Sequence, residues 1–143
     1  MSWYLDASVV LPSLVKEPAS AAVDSLMSAA EQGLLVSDFT AAEVASALSR
    51  LVRTGLLDAG DAGACLTDFD VWRAGMTMPA DIHPADVRLA VTYVRRFELV
   101  LRAPDALHLA IARRLDATIV TLDRRLSAAA VELGIAVEVP QAG

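Results

Sequence analysis

Thr118-Ile119-Val120-Thr121-Leu122-Asp123 is a short β-branched run that ends on an acid, and its neighbours decide how the chain folds. Pro104 to Leu115, just before it, reads as a helix with proline in its first turn. Arg124 to Leu133, just after it, reads as another, closed by Gly134. A strand held between two helices is the repeating unit of a parallel sheet covered on both faces.

The same alternation extends outward. Trp3-Tyr4-Leu5, Leu34-Leu35-Val36, a weak Met76-Thr77-Met78 and Ala136-Val137-Glu138-Val139 read as further strands. Helical patterns fill Val9 to Leu14, Ala19 to Glu31, Thr40 to Arg53, Asp58 to Trp72 and Pro84 to Phe97. Within these, Val44, Leu48 and Leu51 share one helical face, as do Leu66 and Phe69, and Val87, Val91 and Val94. The fold class is therefore α/β, three layers α/β/α, with a mostly parallel sheet of about five strands. At 143 residues the chain is one domain, 1–143, and large enough to bury its own core.

Composition narrows the function. A lone cysteine, Cys65, excludes an internal disulfide framework and a cysteine zinc site, and reads as a small buried helix residue. No apolar stretch approaches the ~20 residues that cross a bilayer, and the N-terminus lacks the basic and apolar regions of a signal peptide. A cytoplasmic protein with no membrane partner is expected. The net charge of −6 opposes a protein that merely coats nucleic acid. A mean hydropathy of +0.48 is high for a small soluble chain and suggests an apolar patch that meets a second copy or another protein. Eleven of the twelve basic residues are arginine, the side chain suited to bidentate phosphate contact, and Arg50, Arg53, Arg95, Arg96 and Arg125 are the candidates for it.

The acids carry the chemistry. Asp6 ends the first strand, Glu43 lies three residues after Thr40, Asp105 follows Pro104, and Asp123 ends the clearest strand. Each has an ordinary explanation. Asp6 and Asp123 can cap helices, Thr40-Ala41-Ala42-Glu43 matches a capping box, and Asp105 suits a helix N-terminus. Taken together they point elsewhere, because all four fall on the edge where strands end and helices begin. Two like charges ~4 Å apart repel by ~4 kcal/mol at an effective dielectric near 20. A cation relieves that repulsion, and carboxylate oxygens favour Mg²⁺ or Mn²⁺. Such an ion supplies an activated water and a Lewis acid for phosphodiester hydrolysis.

The set Leu5-Asp6-Ala7-Ser8, Glu43, Pro104-Asp105-Ala106-Leu107-His108 and Thr121-Leu122-Asp123 resembles PIN-domain ribonucleases, and in length and order most resembles VapC-type toxins of bacterial toxin–antitoxin modules. The resemblance covers about Trp3 to Val139. It implies a metal-dependent endoribonuclease with Asp6, Glu43, Asp105 and Asp123 as the catalytic, metal-binding acids. It also implies Ser8 and Thr121 as supporting hydroxyls, Mg²⁺ (or Mn²⁺) as cofactor, and RNA as substrate. A cognate antitoxin and a second copy of the chain would be the protein partners. Where many relatives carry a further acid or asparagine just past the last aspartate, this chain has Arg125. His108, one turn after Asp105, reads as a hydrogen-bonding or helix-packing residue, and His83 as a helix-start residue. Two rival readings remain: a receiver-like Mg²⁺-binding signalling domain, which would need paired acids and a late lysine, and a PIN-like binding module with little nuclease activity.

Overall fold

The computed structural model describes residues 1–141. Five short strands, β1 (Trp3–Leu5), β2 (Leu34–Ser37), β3 (Met78–Ala80), β4 (Thr118–Val120) and β5 (Val137–Glu138), form one parallel sheet in the order β3-β2-β1-β4-β5. β1 is central, with Trp3 opposite both Leu34 and Thr118. Among the described residues seven α-helices pack around it: α1 (Ala7–Leu14), α2 (Ser20–Ala29), α3 (Asp38–Arg53), α4 (Ala59–Met76), α5 (Pro84–Val94), α6 (Ala103–Arg114) and α7 (Arg124–Glu132). Among the described residues no helix is long and apolar enough to cross a membrane.

The period-two geometry of the strands divides the core. Tyr4 and Ile119 face a cluster with Leu109, Ile111 and Leu126 from α6 and α7. Leu5, Val36 and Val120 face the other, built from Val9, Val10, Val44, Leu48 and Phe69. The chain leaves β1 for β2 on one side and reaches β4 on the other, so the strand order switches between β1 and β4. Ligands of open α/β sheets bind beyond the strand ends at such a switch, and Asp6 and Asp123 lie there.

Several boundaries differ from the sequence reading. The weak third strand lies at Met78–Ala80 rather than Met76–Met78, because α4 continues to Met76. Pro79 is tolerated there since β3 is an edge strand with no ladder partner on its outer side. Helix α3 begins at Asp38, not Thr40: Ser37 is the cap, its hydroxyl oxygen accepting the Thr40 N–H at 3.1 Å. Thr40 therefore heads no capping box with Glu43, and its hydroxyl donates instead to the Leu5 carbonyl at 2.9 Å. Helix α5 stops at Val94, and Phe97 sits in a separate 3-10 turn, 85% exposed. Val87 and Val91 share a face but stand half in solvent, while Asp86, Ala90 and Tyr93 face inward. Cys65 and Leu66 are only half-buried, leaving Phe69 and Ala62 as the core residues of α4. Gly134, with φ of 71°, follows the end of α7 as expected.

Asp86 is the buried acid that fixes α5 against α6. Its carboxylate accepts from Arg114 Nε at 2.9 Å and Nη2 at 3.0 Å, and from the His83 N–H at 2.8 Å. Burial pushes its pKa up, but the Arg114 and His83 hydrogen bonds outweigh that and hold it below the usual carboxylate range. A lowered folded pKa stabilises above the ordinary value and is lost as pH falls through the folded value. Asp86→Asn is therefore expected to cost about 1–3 kcal/mol in urea denaturation at neutral pH. The gap to the unsubstituted protein should close in acid below about pH 4; a gap independent of pH would contradict this assignment.

Candidate active site

Asp6 caps α1 from the end of β1 and is 4% exposed. Both of its carboxylate oxygens are engaged. Oδ1 accepts the Ser8 N–H at 3.1 Å and the Ser8 hydroxyl at 2.6 Å, and Oδ2 accepts the Thr121 hydroxyl at 2.6 Å. Those hydroxyls are themselves held from the β4–α7 connection. Ser8 Oγ accepts the Leu122 N–H at 2.8 Å, and Thr121 Oγ1 accepts the Asp123 N–H at 3.0 Å. Ser8 and Thr121 thus tie the first acid to the segment that presents the last.

Asp105 stands in the first turn of α6, where its Oδ2 accepts the Arg102 N–H at 3.3 Å. Asp123 caps α7 through the Arg125 and Leu126 N–H groups at 2.9 and 3.2 Å. Glu43, one turn into α3, bonds through Oε1 to Nε2 of buried His108. Glu43, Asp105 and Asp123 line one cavity of about 400 Å³, together with Pro104, Arg102, Arg124 and Arg125. Asp6, almost wholly buried, does not line it.

The electrostatics match this crowding. Burial raises the Asp6 pKa against the opposing Ser8 and Thr121 hydrogen bonds, with nearby Glu43 adding to the rise. Burial also raises that of Asp105, and the Asp123 charge raises it further. His108 acts in the opposite sense on both Asp6 and Asp105, which places it within electrostatic reach of each.

The donor set fits a hard divalent cation, since it offers carboxylate oxygens from four separate elements. The acids ring the cavity and do not converge. As placed, no three Asp, Glu, His or Cys side chains among the described residues are grouped closely enough to hold one ion. Binding would draw Glu43, Asp105 and Asp123 inward.

Of the arginines picked from sequence, only Arg125 lines this cavity. Arg50 and Arg53 occupy the last turn of α3, at the far end from Glu43. Arg96 pairs with Glu98 at 2.9 Å. Arg95 lines a separate apolar groove of about 400 Å³ with Phe39, Val87, Val91, Val94 and Leu107, which meets the acidic cavity at Pro104. Arg102 and Arg124 were missed. Their signal was adjacency to Asp105 and Asp123 at helix starts, where the cavity lies.

A model of the PIN domain matches residues 3–132. The chain belongs to the PIN-domain family. That membership sets aside the receiver-like reading, and the single lysine, Lys16, lies far from the last strand in sequence. Among curated proteins none matches the chain. Solved structures share the fold at low identity. VapBC2 from Rickettsia felis, bound to a DNA fragment from its promoter, has 14% identity over 99% of this chain and 100% of that one, with a TM-score of 0.72. VapC20 from Mycobacterium tuberculosis, a toxin that cleaves the Sarcin–Ricin loop, has 17% identity over 90% and 95%, with a TM-score of 0.72. FitAcB from Neisseria gonorrhoeae has 23% identity over 96% and 97%, with a TM-score of 0.71.

A raised carboxyl pKa means that ionised Asp6 costs the fold stability, a cost absent below the ordinary carboxylate pKa and fully present above the raised one. Asp6→Asn keeps an oxygen for Ser8 and offers an amide N–H to Thr121. In chelator-treated protein at neutral pH it is expected to melt higher, by about 2–4 °C per kcal/mol recovered. Calorimetry should show that advantage fading as the solution is acidified, and a lower melting temperature at neutral pH would contradict it.

Proposed function

We propose that this PIN-domain protein is a metal-dependent endoribonuclease acting as the toxin of a toxin–antitoxin pair. One observation carries the reading: Glu43, Asp105 and Asp123, from three separate elements, line one cavity at the sheet's switch point whose other charged residues are three arginines, with Asp6 at the end of the central strand. Glu43, Asp105 and Asp123 would hold Mg²⁺ or Mn²⁺ from the cavity wall, with Asp6 buried within electrostatic reach of Glu43. When bound, such an ion supplies Lewis acidity at the phosphoryl group and lowers the pKa of a water.

The chain's own residues supply the rest. Arg102, Arg124 and Arg125 offer planar forks to the phosphates on either side of the scissile bond. Ser8 and Thr121 hold Asp6 in place through short hydrogen bonds that favour its ionised form against burial. The three arginines offset the three acids of the cavity, so the local balance there differs from the chain's net charge of −6, and a bound divalent cation would make it positive toward a polyanion. RNA as substrate is supported by the activity named for VapC20, which has the same fold.

Two protein partners belong to the proposal. The apolar groove beside the acidic cavity supports an antitoxin segment laid across both, in keeping with the toxin–antitoxin complex solved from Klebsiella pneumoniae, which has the same fold at 16% identity. Exposed Phe97 and Val100 add apolar surface in keeping with a homodimer.

The test is cleavage of structured RNAs by purified, antitoxin-free protein with Mg²⁺ or Mn²⁺, then with EDTA. Cleavage should require the ion and fall at least about a hundredfold in Asp6→Asn and in Asp105→Asn. Arg102→Gln and Arg124→Gln should raise KM more than they lower kcat. Cleavage that survives EDTA or both aspartate substitutions would sink the mechanism. RNA binding without cleavage would select the PIN-fold binding module instead.

A further inference from the structure

Glu43 is the one site acid with no backbone partner, because the capping box suggested by Thr40-Ala41-Ala42-Glu43 does not form. Its only hydrogen bond among the described residues runs from Oε1 to His108 Nε2. His108 is 2% exposed, so the groups packed around it fix its ring. The Tyr4 and Phe39 rings lie against it at centroid distances of 5.5 and 5.1 Å, both tilted. The Tyr4 hydroxyl meets Nδ1 at 2.6 Å.

Counting protons along the hydroxyls beyond Tyr4 fixes the ring's orientation toward Glu43. Tyr4 also meets Ser37 Oγ at 2.8 Å, Ser37 donates to Thr40 Oγ1 at 3.3 Å, and Thr40 donates to the Leu5 carbonyl at 2.9 Å. Thr40 has no choice, since a carbonyl only accepts. Ser37 gives its proton to Thr40, so Tyr4 donates to Ser37 and His108 Nδ1–H donates to Tyr4. Two facing lone pairs cannot bond, so one further proton lies between Nε2 and Glu43 Oε1. This direction satisfies every hydroxyl of that chain of bonds and turns Nε2 toward Glu43.

We infer that His108 is the positioning residue of the site: buried between Tyr4 and Phe39, it grips Glu43 Oε1 and leaves Oε2 as the oxygen that reaches a divalent cation. The inference rests on the metal-dependent reading above and assigns a residue outside the four acids to it. Groups one step removed from a metal orient its ligands, and losing one typically costs about 10–100-fold in metal affinity. His108 sits on the same α6 turn that presents Asp105, so one helix sets both the position of its own acid and that of Glu43 on α3.

The experiment is Mn²⁺ titration of the full chain by calorimetry, alongside ¹⁵N spectroscopy of the imidazoles in chelator-treated protein. His108→Leu is expected to weaken Mn²⁺ binding by about 10–100-fold while remaining folded by circular dichroism. His108→Gln, whose amide nitrogen lies as many bonds from Cα as Nε2, should recover most of that loss. The Nδ1–H signal of His108 should be present without metal. Should His108→Gln fail to fold, Tyr4→Phe, which frees the ring at Nδ1, should give a smaller weakening. Unweakened binding in folded His108→Leu, or a bare Nδ1, would overturn the positioning role. Wild-type protein that binds no Mn²⁺ would overturn the metal reading beneath it, a separate result read before any variant is compared.

Discussion

Asp6 governs this molecule's active edge. A carboxylate almost wholly removed from water at the end of the central strand costs the fold stability, and the neighbourhood is arranged around that cost. Two hydroxyls from different parts of the chain close on its oxygens, and each is held by a backbone N–H of the β4–α7 connection. The bonds that keep Asp6 tolerable thus set where Asp123 stands. The same edge gathers Glu43 and Asp105: α3 begins where β2 ends, and α6, which leads into β4, sets Asp105 in one cavity with Asp123.

The acids avoid one another while remaining neighbours. Asp6 is buried, Asp105 accepts an N–H at its own helix start, Asp123 caps α7, and Glu43 is gripped by His108. Each ordinary local role is compatible with a shared one, since each engages part of a carboxylate and leaves the cavity lined with oxygen. The arginines opposite carry the complementary sign. The apolar groove that joins the cavity at Pro104 puts hydrophobic and charged recognition side by side on one face.

Much of this was legible in the sequence, for physical reasons. β-branched runs broken by amphipathic helices leave few alternatives to a parallel sheet, and acids at strand ends follow from that topology. Glu43 lines the cavity, but the capping box that Thr40 offered as its ordinary role does not form, because Ser37, three residues nearer the strand, caps the helix first. Met76–Met78 failed as a strand because nothing in those residues stops a helix, whereas Pro79 does. Val87, Val91 and Val94 show a helical period, but periodicity cannot say whether a stripe meets a core or an open groove. Arg102 and Arg124 were not among the arginines picked, because the cavity selects by position near an acid rather than by any local pattern of charge. The chain of hydroxyls from His108 to Leu5 joins residues up to 104 positions apart, so no local pattern announces it.

The central claim is that Asp6, Glu43, Asp105 and Asp123 make a divalent-cation site, and a crystal of the protein grown with Mn²⁺ tests it most directly. Anomalous scattering should show manganese in the cavity bounded by Glu43, Asp105 and Asp123, with those carboxylates drawn inward. A crystal saturated with Mn²⁺ that shows no anomalous peak there, or shows one only elsewhere on the surface, would contradict the account.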